Sequence, residues 1–181
     1  MILILLGLLL WSGAHFFKRL APDARAKMGD KGKGLVALLS LLAIVLMVIG
    51  YRNADGPVFW GRSAAMGGIN NLLMVFAFYL FASSGAKTWI TSKIKNPQLT
   101  AVKVWALAHL LVNGALEDIL LFGGMMAWAV ATVILLKRSG VTPAPYVPVS
   151  AKKEITAAVM AVVVTVVVMG IHAALGATPW G

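Results

Sequence analysis

The sequence contains no cysteine. Disulfides, thiolate-bound zinc, iron–sulfur clusters and the covalent attachment of c-type haem are therefore excluded. The strong metal ligands that remain are histidine, aspartate and glutamate. Any metal site in this chain has to be built from those three residue types.

Charged residues are also scarce, at 12% of the 181 residues, whereas a soluble domain usually carries about 25%. Hydrophobic residues make up 60% of the chain. A soluble protein of this composition would lack the polar groups to cover its surface, so we expect an integral membrane protein. The length suits a single domain spanning residues 1–181.

Acidic residues are the rarest charges, with six Asp and Glu against 16 Lys and Arg, which gives a net charge of +10. In a soluble protein that excess would suggest a nucleic-acid partner. In a membrane protein, basic residues instead mark cytoplasmic loops and contact anionic lipids. We therefore expect the lipid bilayer, and no nucleic acid, as the partner of this surface.

Long apolar runs are abundant. Six follow one another along the chain, namely Met1–Phe17, Gly34–Tyr51, Met66–Ser83, Leu99–Asn113, Leu116–Leu136 and Ile155–Leu175. A spanning helix needs about 20 residues. The fourth run is short, but Asn96 and Pro97 are typical of a helix N-cap and first turn, so its helix is expected to start at Pro97. The pattern predicts an all-α, polytopic bundle of six transmembrane helices, with a tight turn at residues 113–115.

The basic residues test this span count. Fourteen of the 16 are assigned to the first, third and fifth predicted loops, counting Lys103, whose side chain can reach back to the surface from the start of the fourth helix. The remaining two, Arg52 and Arg62, lie in the second loop. The positive-inside rule then predicts cytoplasmic odd-numbered loops and places both termini on the non-cytoplasmic side. The first run lacks a preceding basic residue and a small-residue cleavage site, so we expect it to be retained as a helix. Pro143, Pro145 and Pro148 predict an extended fifth loop.

Three histidines, His15, His109 and His172, all fall within predicted helices. An ionisable side chain in lipid is costly, which makes each of them a functional candidate. Neutral imidazole is a common axial ligand of haem iron. The histidines therefore suggest a cofactor, against the alternative that each is a structural residue with a satisfied hydrogen bond.

Depth in the membrane discriminates among possible ligand pairs, because two axial ligands must reach one iron. A helical rise of about 1.5 Å per residue puts His15 roughly 5 Å inside the cytoplasmic end of the first helix. The same rise puts His109 about 18 Å from the start of the fourth helix and His172 about 27 Å from the start of the sixth. His15 with His109 is the favoured pair, and His172 with His109 is the competing one.

Other polar residues in the predicted helices are secondary candidates. Asn113 lies one turn after His109 on the same face, where it can orient the helix end or a bound group. Glu117 and Asp118 suggest a proton or cation site near the outer face, or acids that complement the start of the fifth helix. Asn70 and Asn71 are expected to form hydrogen bonds across helices.

A longer pattern surrounds His109. It comprises Asn96-Pro97, Trp105-Ala106-Leu107-Ala108-His109, Asn113-Gly114, Leu121-Phe122-Gly123-Gly124 and Trp128-Ala129. Together with His15, Lys18-Arg19 and the Asn70-Asn71 stretch, this pattern resembles the NnrU family of bacterial membrane proteins. The resemblance is strongest over residues 1–138.

NnrU proteins are associated with denitrification and nitric oxide metabolism, and they are similar to the plant 15-cis-zeta-carotene isomerase, a haem b enzyme. The resemblance implies a bacterial inner-membrane protein that binds haem b through His109 and His15, with Asn113 beside the cofactor. It also implies a membrane redox partner or a nitrogen-oxide reductase system. The isomerase exchanges a cysteine ligand whose matching position here is Ala106, so that thiolate chemistry is excluded.

Several functions stay open at this point. The first is a haem b protein with a redox or nitric oxide role, or, as a variant, a haem-dependent isomerase or oxidoreductase acting on a lipid-soluble substrate. The second is a non-enzymatic transport or assembly partner of a nitrogen-oxide system. The third is a small transporter with a polar path through His109, Asn113 and Glu117.

Overall fold

The computed structural model describes residues 1–140 and 145–180, and Pro143 of the predicted fifth loop lies outside them. The described part of the chain is helical almost throughout. Its helices are α1 (Ile2–Leu20), α2 (Pro22–Lys27), α3 (Gly29–Arg52), α4 (Ala64–Ala86), α5 (Ile90–Lys93), α6 (Pro97–Val112), α7 (Leu116–Asp118), α8 (Gly124–Arg138) and α9 (Ala151–Ala174). A π-helical turn, Ile119–Gly123, joins α7 to α8.

The predicted all-helical fold is confirmed. Five helical stretches of the described residues are long and apolar enough to cross a membrane: α1, α3, α4, the continuous stretch Leu116–Arg138, and α9. The fourth apolar run forms α6, which has 16 residues and starts at Pro97 as expected. Asn96 is its N-cap residue, but its side chain makes no capping hydrogen bond.

The structure departs from the sequence-based boundaries in the first predicted loop. Here α2 occupies part of the loop, and α3 begins at Gly29 instead of Gly34. Pro22 suits the first turn of α2 because its missing N–H has no partner to lose there. Lys33 pairs with Asp30 at 2.8 Å on the first turns of α3, so charged residues extend an apolar helix.

The chain divides into two compact units, each described by itself. The first contains Met1–Phe59 and Ala115–Gly140. Within it, α1 packs closely along α3 because glycines remove side chains from the contact. A Cβ added at Gly7 would lie 2.5 Å from Met47 Cγ, and one added at Gly50 would lie 2.7 Å from the Ile4 nitrogen. Such close backbone approach is the usual packing of helices in membranes.

The second unit contains Trp60–Gly114 and Val141–Gly181, of which residues 145–180 are described in the latter part. Its centre is α4, which packs against α6 and α9. The buried face of α4 carries Asn70, Met74, Ala77 and Leu80, spaced three or four residues apart. Buried alanines on α6, and on α9 at a spacing of four residues, let these helices approach it.

Candidate functional site

His15 lies near the end of α1 in the first unit. Its Nδ1 is 2.8 Å from the carbonyl oxygen of Trp11, one turn earlier. Because a carbonyl oxygen only accepts, Nδ1 carries the proton in this bond, and the lone pair of the neutral ring is on Nε2. That tautomer is the one a metal-binding histidine uses when it coordinates through Nε2.

Two tryptophans surround the His15 ring. The ring of Trp11 stacks on it with centroids 4.2 Å apart, and Trp128 of α8 meets it edge-on at 5.2 Å. Trp128 is 8% exposed, and the indole N–H groups of both tryptophans are buried without a hydrogen-bond partner. The sequence placed Trp11 one turn from His15, but nothing in it linked Trp128 to them, because that contact depends on how α1 and α8 pack.

The second unit contains a small cleft that both other histidines line. His109 of α6 and His172 of α9 share it with Asn70, Met74 and Thr165, and its volume is about 50 Å³. His109 Nδ1 lies 2.9 Å from the Trp105 oxygen, and His172 has the matching bond of 2.8 Å one turn back in α9. Both rings are thus held in the same tautomer as His15.

The polar wall of this cleft is formed by adjacent asparagines of α4. Asn70 Nδ2 donates to Asn71 Oδ1 at 3.0 Å, and Asn71 Nδ2 donates to the Pro179 oxygen at 3.1 Å. Hydrogen bonding beyond their own helix is therefore found for Asn71, which reaches the segment after α9, whereas the Asn70 amide donates to its neighbour within α4. Asn70 is 8% exposed and its Oδ1 has no partner, which leaves a buried acceptor at the cleft.

The segment after α9 forms one side of the cleft. Arg62 donates from its two terminal nitrogens to the oxygens of Thr178 and Pro179, each at 2.6 Å. Pro179 itself lines the cleft. From sequence, Arg62 was only a basic residue of the second loop, because its partners lie more than a hundred residues away.

Asn113 ends α6. Its Nδ2 donates to the His109 oxygen at 3.0 Å, and its backbone N–H donates to the same oxygen at 2.9 Å, so two bonds fasten the end of the helix. The next residue, Gly114, lies so close to Trp60 that an added Cβ would be 2.4 Å from the Trp60 oxygen. Asn113 therefore stabilises the helix end that carries His109, as expected, and its placement beside a cofactor stays a prediction.

Asp118 is buried, whereas an acid that solvates the start of a helix is expected to be exposed. It is 4% exposed, and its carboxylate accepts from Tyr51 Oη at 2.5 Å and from the Ala115 N–H at 2.9 Å. Glu117 accepts from the Gly56 N–H at 3.2 Å. Asp118 thus ties α3, and Glu117 the segment after it, to the start of α7. The bond to Ala115 agrees with the expected helix-start role.

The donor set fits haem iron, whereas the cleft volume restricts where a porphyrin can lie. Each of the three histidines has the tautomer required for coordination through Nε2. A cleft of about 50 Å³ is far below the roughly 300–1,000 Å³ of ordinary small-molecule sites. His109 and His172 are brought together by the second unit, and His15 belongs to the first. Among the described residues, no group of three or more His, Cys, Asp or Glu forms a metal cluster.

Comparison with known families decides the relationship. The family model described as NnrU protein matches residues 3–179 of the 181-residue chain. The chain belongs to the NnrU family. The match extends well beyond residues 1–138 and includes α9 with His172. Searches of curated proteins and of solved structures found no match.

Proposed function

We propose that this NnrU protein binds haem b and serves nitrogen-oxide metabolism, in the denitrification and nitric oxide context that the family resemblance implies. The observation that carries the proposal is the shared state of its intramembrane histidines. Each one donates from Nδ1 to the carbonyl oxygen one turn earlier, at 2.8 to 2.9 Å. Metal-ligating histidines are usually oriented by such a bond, which raises the basicity of the coordinating nitrogen.

His109 and His15 are the proposed axial ligands. The pairing is the one that the family resemblance implies. The cleft that His109 shares with His172 has a volume of about 50 Å³, which is small for a porphyrin and favours His15 as the second ligand. Asn113 contributes by capping the helix end that carries His109, so that the ring keeps its orientation.

Haem held by two imidazoles supplies one-electron redox chemistry, or binding of a gas that displaces one ligand. The chain's own part is to hold the imidazoles in one tautomer and to keep the site within an apolar helical bundle. These tasks fit a protein of the bacterial inner membrane that works with a membrane redox partner or a nitrogen-oxide reductase.

The proposed topology is one domain with six spans and both termini on the non-cytoplasmic side. A 16-residue α6 rises about 24 Å, slightly less than the bilayer core of roughly 30 Å, and such a mismatch is accommodated by local thinning. Alkaline phosphatase fused to either terminus should be active, and a fusion in the first or third basic loop should be inactive. Opposite activities at the two termini would contradict the even span count.

The haem proposal is tested by the absorption spectrum of protein purified in mild detergent after expression with ample haem. We expect a Soret band, with sharpened α and β bands on dithionite reduction. His109→Ala should lose most of the Soret absorbance, and His15→Ala should shift it.

His172→Ala is the matched control, because His172 has the same Nδ1 bond and lines the same cleft as His109 but is not one of the two proposed ligands. We expect this variant to retain the wild-type spectrum. If His172→Ala loses the Soret band and His15→Ala keeps the wild-type spectrum, the second iron ligand is His172 and not His15. A wild-type protein that stays colourless would refute the haem proposal.

A further inference from the structure

A large basic cavity lies at one end of the second unit, apart from the histidine cleft. It has a volume of about 850 Å³ and is bounded by the end of α4, the segment before α6, and the start of α9. Three lysines line it, namely Lys87, Lys95 and Lys153. All three are exposed, so their ammonium groups keep their hydration and are available to an anion.

Nothing in this cavity neutralises the three charges. No carboxylate lines it among the described residues, whereas hydroxyl groups of Thr91 and Ser150 do. The nearby Glu154 is directed elsewhere, since its Oε1 accepts from the Trp89 N–H at 2.7 Å. Ammonium and hydroxyl donors without a counter-charge form a site suited to an anion with several acceptor oxygens, such as a phosphate group.

An apolar groove begins close to the basic cavity. It has a volume of about 470 Å³ and lies between α4 and α9, where Phe78, Phe81 and Ala82 face Met160 and Val164. The lining residue Phe81 is one turn before Ser84 of the basic cavity, which is about 4.5 Å along the axis. On α9, Val164 lies about 16 Å beyond Lys153.

Both cavities therefore lie along α4 and α9. The one with the three lysines is at the end of α4 and the start of α9, and the one lined by aromatic and aliphatic side chains lies further along the two helices. A phosphate alone would use only the first part, and a hydrocarbon alone only the second. We propose that this surface binds one phospholipid with an anionic headgroup, with its phosphate among Lys87, Lys95 and Lys153 and an acyl chain in the groove. Basic pockets between membrane helices are typical sites for such headgroups.

The first test uses the wild-type protein in uncharged detergent. Its thermal unfolding is followed during titration with phosphatidylglycerol, phosphatidylcholine of the same chains, and inorganic phosphate. We expect saturable stabilisation by phosphatidylglycerol and much smaller effects of the other two. Equal stabilisation by both lipids, or a full effect of inorganic phosphate alone, would overturn the proposal.

The second test measures retained lipid by native mass spectrometry. The variant Lys87→Gln/Lys95→Gln/Lys153→Gln removes the three charges. Since one lysine near a membrane surface contributes about fivefold to anionic lipid affinity, the loss should approach 100-fold. The control variant changes three basic residues of the first unit by the same net charge, namely Lys18→Gln/Lys137→Gln/Arg138→Gln.

A third variant separates the chain from the headgroup. Ala82→Phe fills the groove and leaves every lysine in place, and we expect it to reduce phosphatidylglycerol retention. Val162→Phe, on the exposed part of α9, is its control and should retain the lipid. Unchanged retention in both the triple lysine variant and Ala82→Phe would refute the assigned site. Circular dichroism of every variant identifies any loss that comes from misfolding.

Discussion

Replacing Gly7 by alanine perturbs the closest contact in the first unit. The new Cβ would lie 2.5 Å from Met47 Cγ and 2.8 Å from the Ala43 oxygen. The first atom belongs to a flexible side chain and can move, but the second is backbone, so α1 and α3 have to separate. Opening a contact by 0.5–1 Å loses about a quarter to a half of its dispersion energy, and overpacking of this kind costs roughly 1–3 kcal/mol.

Gly13→Ala is the matched control, because it is in the same helix and its added Cβ meets nothing within 4 Å. Both substitutions gain the same helix propensity, about 1 kcal/mol, so their difference isolates the contact. We expect Gly7→Ala to be less stable than Gly13→Ala by about 1–3 kcal/mol. The assay is denaturant unfolding in mixed micelles followed by circular dichroism. Equal stability of the two variants would refute the close packing of α1 on α3.

Three further predictions concern other contacts. Tyr51→Phe removes the hydroxyl that donates to the buried Asp118 carboxylate and should cost about 1.5–3 kcal/mol in the same unfolding assay; no change would contradict this bond. Lys87→Gly relieves a left-handed backbone with φ of 57° and should raise stability by about 1 kcal/mol, whereas a loss would contradict that conformation. Arg62→Gln removes charged donors to the Thr178 and Pro179 oxygens, so we expect amide hydrogen exchange at Thr178 and Trp180 to be faster than in the wild type; equal exchange rates would contradict these bonds.

The helices were largely predictable from the sequence, because apolar length and turn-forming residues are local properties. The start of α6 at Pro97 and the turn before Leu116 were both expected and are confirmed. The π-helical turn Ile119–Gly123 was not, since it interrupts an apolar stretch that has no local signal such as proline. The early start of α3 was also missed, because a charged first turn is indistinguishable from a loop in hydropathy.

The candidate site was predictable only as a set of histidines. Their location in helices follows from sequence, whereas the bond from each Nδ1 to the carbonyl oxygen one turn earlier was not predicted. Residues of other helices surround each histidine ring. Trp128 reaches His15 from α8, and Asn70 lines the cleft of His109 from α4. Such contacts depend on which helix faces pack together, and one sequence does not specify that.

Burial of Asp118 illustrates the same limit. An acid in the first turn of a helix is usually exposed and complements the helix dipole. Here the Tyr51 hydroxyl, 67 residues away in sequence, provides a donor that compensates for burial. Only the packing of α3 near the start of α7 brings these two residues together.

The most direct test of the haem assignment is the haem content of the purified wild-type protein, measured by the pyridine haemochrome assay. Expression with ample haem supply and purification in mild detergent should yield haem b at about one per chain, as expected for iron held by one pair of histidines. Protein that is folded by circular dichroism but contains no haem would contradict the account.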